Sequence, residues 1–344
     1  MESRKARQWV GLDIGGANLK GSDGETRSLS RPFAIWKAPQ QLAAELARLL
    51  EGWPGWEGLA VTMTAELADC FATKSDGVAA ILAAVREVAD GRPVQVWQTG
   101  GEFFSVEEAC EFPLLVAAAN WHALATWAAR MTAGLPGLLI DIGSTTTDII
   151  PLRDGGPDAC GQTDVSRLQS AELTYLGVRR TPLCAVASAV KYHGVETPLA
   201  AELFATSLDL FLLSGEITED AASTETADGR PATREAARNR LAHLLCCDRD
   251  ECSLNDAVGI AGQLREVFLQ RLWQSLDRVL ARNATAVSTV LISGEGEFLI
   301  PDLLGRDAGL TGAEVVSLTK ALGPTHSSAA CAFAVSRLAR ERLT

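Results

Sequence analysis

The feature that most constrains this chain is a strand, turn and strand unit that occurs twice. Trp9-Val10-Gly11-Leu12-Asp13-Ile14-Gly15-Gly16-Ala17-Asn18-Leu19-Lys20 and Leu138-Leu139-Ile140-Asp141-Ile142-Gly143-Ser144-Thr145-Thr146-Thr147-Asp148-Ile149-Ile150 each run from apolar residues through Asp-Ile-Gly into a polar exit. Two copies imply a duplicated site. Gly15, Gly16 and Gly143 admit backbone angles that a Cβ forbids, so several N–H groups can converge on an anion. Ser144, Thr145, Thr146 and Thr147 add hydroxyl donors. A carboxylate at each strand end, Asp13 or Asp141, repels a phosphate unless a cation sits between them. Mg²⁺ held by one or two carboxylates and water is the usual solution. Asp148 lies two positions past Thr146, on the same strand face, and joins the candidate metal set. One Asp-Ile-Gly is commonly only a turn, but two copies in strand context point to a metal-bound polyphosphate.

At 344 residues the length prior favours two domains, in agreement with the duplication. A net charge of −12 leaves no basic surplus to displace counterions from nucleic acid, which argues against a polyanion partner and requires cations to be placed locally. No stretch approaches the length of a membrane span. Met1 to Arg7 is charged, and the strand after it reaches Asp13 before a signal-peptide apolar region could form. The eight cysteines are then expected to be reduced, which gives a cytoplasmic expectation. Cys246, Cys247 and Cys252 with His243 lack Cys-x-x-Cys spacing and read as a helix end with buried thiols.

Along the chain, Arg27 to Ala38 reads as a strand pair with Phe33 and Trp36 facing a core. Helices are expected at 40–50 and 74–90 from their apolar spacing. Leu59 to Thr64 reads as a buried parallel strand with Glu66 and Asp69 past its carboxyl end, where open α/β sheets place ligands. Val106 to Arg130 is mostly helical, with His122 a satisfied interior histidine. Arg179 and Arg180 stand beside a turn and suit phosphate or carboxylate recognition. A helix is expected over Leu199 to Leu213, carrying Glu202 and Asp209. Thr226 to Thr233 forms a rigid turn that could present Asp228 and Arg230 to a substrate. Helices follow at 234–248 and 260–282. After the strand Val287 to Ser293, Gly294-Glu295-Gly296-Glu297 lets backbone lie flat against a ring or a phosphate. Neither a dinucleotide fingerprint nor a P-loop is present.

The two Asp-Ile-Gly hairpins and the late glycine loop resemble the actin, sugar kinase and heat-shock ATPase superfamily over most of the chain. That resemblance implies an α/β fold of two ribonuclease H-like domains facing a central cleft: 1–130 with the first phosphate loop, 131–326 with the second, and a C-terminal helix over 327–344. A helical region inserted at about 170–270 and an adenosine-type loop belong to the second domain. It assigns Asp13, Gly15, Gly16 and Asn18, with Lys20 beside them, to the first phosphate loop. Asp141, Gly143, Ser144, Thr145 and Thr146 fall in the second, and Gly294 to Glu297 in the nucleotide or ring loop.

Within the superfamily, Asp141 to Asp148 and Tyr175 to Pro182 resemble hydantoinase A/oxoprolinase-like proteins. The chain is shorter than true hydantoinase and oxoprolinase subunits. Its size, with Val61 to Asp69 and Thr226 to Pro231, looks most like the group linked to tetrahydromethanopterin one-carbon transfer, whose archaeal relatives make the aryl ether of methanofuran. The resemblance implies a transferase that joins an aminomethyl-furanylmethyl diphosphate to the phenol of a glutamyl-tyramine or tyrosine, with Mg²⁺ and diphosphate release. Glu66, Asp69 or Asp228 would stabilise the developing cation or take the phenol proton. Its partners are then small molecules, with neither nucleic acid nor membrane, and homodimer formation stays open. Two alternatives also stay open: an ATP-dependent hydantoinase-like hydrolase or small-molecule kinase, and a non-catalytic nucleotide-binding partner protein.

Overall fold

The computed structural model describes residues 8–283, 285–306, 308–310 and 312–343, so the charged segment Met1 to Arg7 lies outside them. A first sheet holds β1 (Trp9–Ile14), β2 (Asn18–Ser22), β3 (Ser28–Pro32), β4 (Gly58–Met63), β5 (Val94–Trp97) and β6 (Phe103–Phe104), in the order 3-2-1-4-5-6. A second holds β7 (Gly137–Ile142), β8 (Thr147–Arg153), β9 (Gly156–Pro157) and β10 (Leu173–Thr174), while β11 (Ala189–Tyr192) and β12 (Val195–Pro198) form a separate hairpin. β13 (Thr289–Ser293) and β14 (Glu314–Ser317) complete the second sheet in the order 10-8-7-13-14.

The two sheets repeat one plan. β1 is antiparallel to β2 and parallel to β4, and β7 is antiparallel to β8 and parallel to β13. This duplicated ribonuclease H-like order is the expected actin-like ATPase architecture. The strand faces alternate with period 2. Val10, Leu12 and Ile14 pack outward under helices Leu42–Leu50 and Lys74–Ala89, while Ile140, Ile142 and Ile149 pack outward with Ser207–Ser214 and Leu254–Arg282. The opposite faces, carrying Trp9, Ala60, Leu139, Ile150 and Leu291, share a third core with helices Asn120–Ala128 and Ala330–Arg342. Those two helices are therefore the wall between the sheets, and what projects beside them from either sheet points into a common space.

Several local expectations are corrected. Arg27 to Ala38 contains one strand, β3, and Ile35 closes back on the first hairpin instead of pairing in a second strand. The helix expected from Leu199 begins only at Ser207, where Thr206 and Asp209 form a capping box. The helix expected from Arg234 to Asp248 stops at His243, and the one expected from Ile260 starts at Leu254, capped by Ser253. β14 and the short helices Leu318–Leu322 and Pro324–Ser328 were not read from sequence because their apolar runs are too short to show a period. Among the described residues no helix is long and apolar enough to cross a membrane.

Candidate active site between the two hairpins

Each hairpin closes in the same way. The Gly15 N–H donates to the Asn18 carbonyl at 3.0 Å, and the Gly143 N–H donates to the Thr146 carbonyl at 2.8 Å. The backbone reason expected for these glycines is corrected, since none of Gly15, Gly16 and Gly143 has a positive φ. The turns do not use the left-handed region at these glycines. Their N–H groups remain available, because among the described residues those of Gly16, Ala17, Ser144, Thr145 and Thr146 donate to no protein acceptor. Several free N–H groups at one turn are a site for an anion.

The strand ends supply charge in matched positions. Asp13 stands opposite Lys20 across the first hairpin, and Asp141 opposite Asp148 across the second. Parallel pairing then sets Thr62 of β4 beside Asp13 and Ser293 of β13 beside Asp141. By the strand alternation all six residues lie on the inner faces. Burial pushes the Asp13 carboxyl up, with Lys20 working the other way. Burial, then the Asp148 charge, pushes Asp141 up to about 7; Lys20 and the Ser293 hydroxyl oppose this, and Asp13 adds to it. The two hairpins therefore share one electrostatic field, although Asp141 keeps part of its surface open to solvent. Cys331 on the wall helix feels Asp13, Asp141, Lys20 and Asp148 together and marks the floor.

Buried polar atoms without partners point the same way. Asp13 Oδ1, Thr62 Oγ1 and Ser293 Oγ make no hydrogen bond of good geometry within the protein. A buried polar group is normally satisfied, so a cluster of unsatisfied ones marks a place for an absent ligand. Among the described residues no three His, Cys, Asp or Glu side chains converge as a closed metal cage. Two inward carboxylates with phosphate or water completing the shell suit Mg²⁺, which is usually bound that way. Asp13 and Asp141 fit such an ion.

Asp148, also expected as a metal ligand, is already engaged. The Arg167 guanidinium pairs with it, and both side chains are nearly buried. Arg167 also lies 4.1 Å over the Trp121 ring and 3.6 Å from Asp164. Asp148 therefore acts on the site through its charge at Asp141. Arg167, Thr62 and Ser293 were missed from sequence. The hydroxyl at each strand end was legible by superposing the repeats, but nothing near Arg167 in sequence signals its partner.

The second hairpin carries the arginine loop. The Arg179 and Arg180 N–H groups both donate to the Ser144 carbonyl at 3.0 Å, and a Cβ on Gly177 would fall onto the Thr145 backbone. Arg179 is neutralised by Glu295. Arg180 instead lies 5.1 Å over the ring of Trp36, which belongs to the first half of the chain. The Ile35 N–H beside Trp36 donates to the Gly16 carbonyl at 3.0 Å, so both partners are anchored to hairpin tips.

The other expected residues divide. Glu66 is 1% exposed, its Oε2 has no partner, and burial pushes its carboxyl up to about 7, with Lys74 opposing and Asp164 adding. Lys74 and Asp164 meet at 3.8 Å across the two halves. Asp69 is exposed and lacks the burial expected of an acid–base group. Asp228 is paired: hydrogen bonds from Arg230, Arg240 and Thr226 outweigh its burial and hold its carboxyl below the usual range. Its Oδ1 accepts from Arg240 at 2.9 Å, and Arg240 in turn reaches the buried Asp209 at 2.7 Å. Arg230 is largely exposed, 3.8 Å from Asp228.

The glycine loop expected to take a ring or a phosphate also packs on the second hairpin. Gly294 has φ +90°, and a Cβ there would strike the Ile142 carbonyl and come within 2.6 Å of Asp141 Oδ1. A Cβ on Gly296 would strike the Ile142 side chain. Both glycines are thus required by packing against the Asp141 strand end. Glu297 accepts from Ser317 at 2.6 Å and from the Thr319 hydroxyl at 2.8 Å, tying down the following helix.

A family model described as Hydantoinase/oxoprolinase matches residues 57–342. A protein of Methanocaldococcus jannaschii named (4-{4-[2-(gamma-L-glutamylamino)ethyl]phenoxymethyl}furan-2-yl)methanamine synthase is 34% identical over 338 residues, covering 97% of this chain and 98% of the relative. One of Methanococcus vannielii with the same name is 31% identical over 206 residues, 60% of this chain and 91% of the relative. Among solved structures, an archaeal actin homologue in complex with ADP is 16% identical with TM-score 0.45, covering 97% of this chain and 99% of that one. The activator of 2-hydroxyisocaproyl-CoA dehydratase from Clostridium difficile is 12% identical with TM-score 0.44, covering 97% and 96%.

Proposed function

The chain belongs to the hydantoinase/oxoprolinase family, and on that premise we propose that it is a transferase that builds the aryl ether of a methanofuran-type one-carbon carrier. The observation that carries this reading is the 34% identity to the M. jannaschii synthase along nearly the whole of both chains. The substrates are small molecules: an aminomethyl-furanylmethyl diphosphate and the phenol of a glutamyl-tyramine or tyrosine.

In this reading the diphosphate lies between the hairpin tips, on the N–H groups of Gly16, Ala17 and Ser144 to Thr146, with Lys20 beside it. Asp13 and Asp141 would hold the divalent cation. When bound, Mg²⁺ would neutralise the leaving diphosphate. The bond between the furanylmethyl carbon and the diphosphate oxygen breaks, and its electron pair leaves with the diphosphate. The phenol oxygen forms the new bond to that carbon and gives up its proton. Glu66 suits that proton best of the three carboxylates considered, because a base poised near neutrality is the effective one. Asp228 is held by Arg240, and Asp69 lies in water.

Residues 1–130 and 131–326 act as the two jaws, and the helix within 327–344 as the wall between them. The test is incubation with synthetic furanylmethyl diphosphate, the phenolic amine and Mg²⁺, with diphosphate release and ether mass as readouts. The expected result is stoichiometric ether and diphosphate without ATP. Phosphate release from ATP with no ether formed would replace the reading with an ATP-dependent one.

A further inference from the structure

We propose that Trp36 is the cation-stabilising face of the active site, occupied in the free protein by Arg180 and during reaction by the furan ring as its bond to diphosphate breaks. The inference rests on the ether-synthase reading above and adds to it a residue and a chemical role.

Trp36 and Arg180 come from opposite halves of the chain, yet each sits beside a phosphate hairpin. Ile35, next to Trp36, is bonded to Gly16 of the first tip, and Arg180 is bonded through its own N–H to Ser144 of the second. Their side chains meet with the guanidinium 5.1 Å over the indole. Trp36 packs partly against the first core and stays partly exposed, with Arg180 over its ring. No carboxylate among the described residues is paired with Arg180, whereas Arg179 next to it is neutralised by Glu295. Arg180 is thus the cation of this loop that is left for a diphosphate.

The two roles exchange. A diphosphate between the hairpin tips draws the Arg180 guanidinium to its oxygens, because a charge-assisted bond to phosphate is stronger than a half-exposed cation–π contact. That movement uncovers the indole face. The furanylmethyl carbon then loses its diphosphate, which takes the bonding pair, and positive charge spreads into the furan ring. An indole face attracts such a charge by the same quadrupole that held the guanidinium. The phenol oxygen next attacks the carbon, its proton goes to a carboxylate, and neutral ether is released. The stabilisation is confined to the transition state, so it raises kcat and leaves ground-state binding nearly alone.

Trp36→Phe keeps a weaker π face, and Trp36→Leu keeps bulk without one. With furanylmethyl diphosphate, the phenolic amine and Mg²⁺, kcat should fall about 3-fold in Trp36→Phe and about 10- to 30-fold in Trp36→Leu, with KM for the diphosphate changing less than about 2-fold. Thermal melting of both variants, compared with the parent protein, separates this from misfolding. A folded Trp36→Leu with unchanged kcat, or an equal loss in both variants through KM alone, overturns the proposal while leaving the ether-synthase reading in place. Absence of ether from the parent protein under the same conditions overturns that reading and the proposal together.

Discussion

Asp141 and Asp148 face each other as a cross-strand pair, in the register where the first hairpin sets Asp13 opposite Lys20. One copy of the repeat thus carries a compensated pair and the other two carboxylates. The second copy is stabilised by Arg167, which approaches Asp148 from outside the sheet and leaves Asp141 turned to the cleft with a raised pKa. The two copies share one scaffold and differ at this position, and in the proposed reading the two carboxylates of the second would need a cation beside them.

Replacing either inward carboxylate should test that need. Asp141→Asn and Asp13→Asn keep shape and remove one charge each. Diphosphate release should fall at least ~100-fold, the scale of losing a preorganised electrostatic contact. Melting temperature should hold or rise, because a buried, unpaired carboxylate is removed. Undiminished turnover at limiting Mg²⁺ in both variants would remove these residues from the site.

Glu66 predicts a pH effect with a definite sign. Its carboxyl ionises near pH 4.5 in the unfolded chain and near 7 in the folded protein. Below 4.5 both states hold the proton and nothing is lost. As pH rises toward 7 only the unfolded chain releases it, so folding stability falls, by roughly 3 kcal/mol once both have ionised. Glu66→Gln cannot ionise. It should therefore be more stable than the parent protein at pH 8 and indistinguishable at pH 4. Urea melts at the two pH values check this, and an equal gap at both would show that burial does not shift the group.

Much of this was legible because it repeats. Asp-Ile-Gly twice, with seven residues from Asp13 to Lys20 and again from Asp141 to Asp148, encodes the sheet order and the inward carboxylates. The Trp36 to Arg180 contact and the Lys74 to Asp164 bridge are not legible, since each joins the two halves, and neither is the Arg167 to Asp148 pair, which joins a helix to a strand 19 positions away; no local periodicity reports such contacts. The packing role of the glycine loop is hidden for a related reason: Gly294 and Gly296 lie against Ile142, which is distant in the chain. Asp228 looked available in its rigid turn until Arg240, a helix away, proved to hold it.

The Arg167 ion pair should behave as a buried one. Arg167→Met leaves Asp148 charged, 8% exposed and without its partner, at a cost of about 3–5 kcal/mol. Adding Asp148→Asn to that variant should recover most of the loss, because both charges are then gone. Denaturant midpoints of the two single variants and the double variant give the coupling directly. Additive losses would mean that the pair is not the source of stability there.

Gly16 and Gly294 separate ligand from packing. A methyl on Gly16 meets no atom within 4 Å, and its φ is ordinary, so the folded protein has no steric need for glycine there. Gly294 is the reverse: its φ of +90° and the Ile142 carbonyl behind it exclude a side chain whether or not a ligand is bound. Gly294→Ala should therefore lower stability first, by more than the ~1 kcal/mol of a simple backbone effect, and lose activity with it. Gly16→Ala should melt with the parent protein yet raise KM for the diphosphate substrate, because the methyl occupies the approach to the turn N–H groups. Measuring melting and KM on both variants tests the phosphate turn itself. A Gly16→Ala protein with parental stability and parental KM would mean that the anion does not rest on the first hairpin.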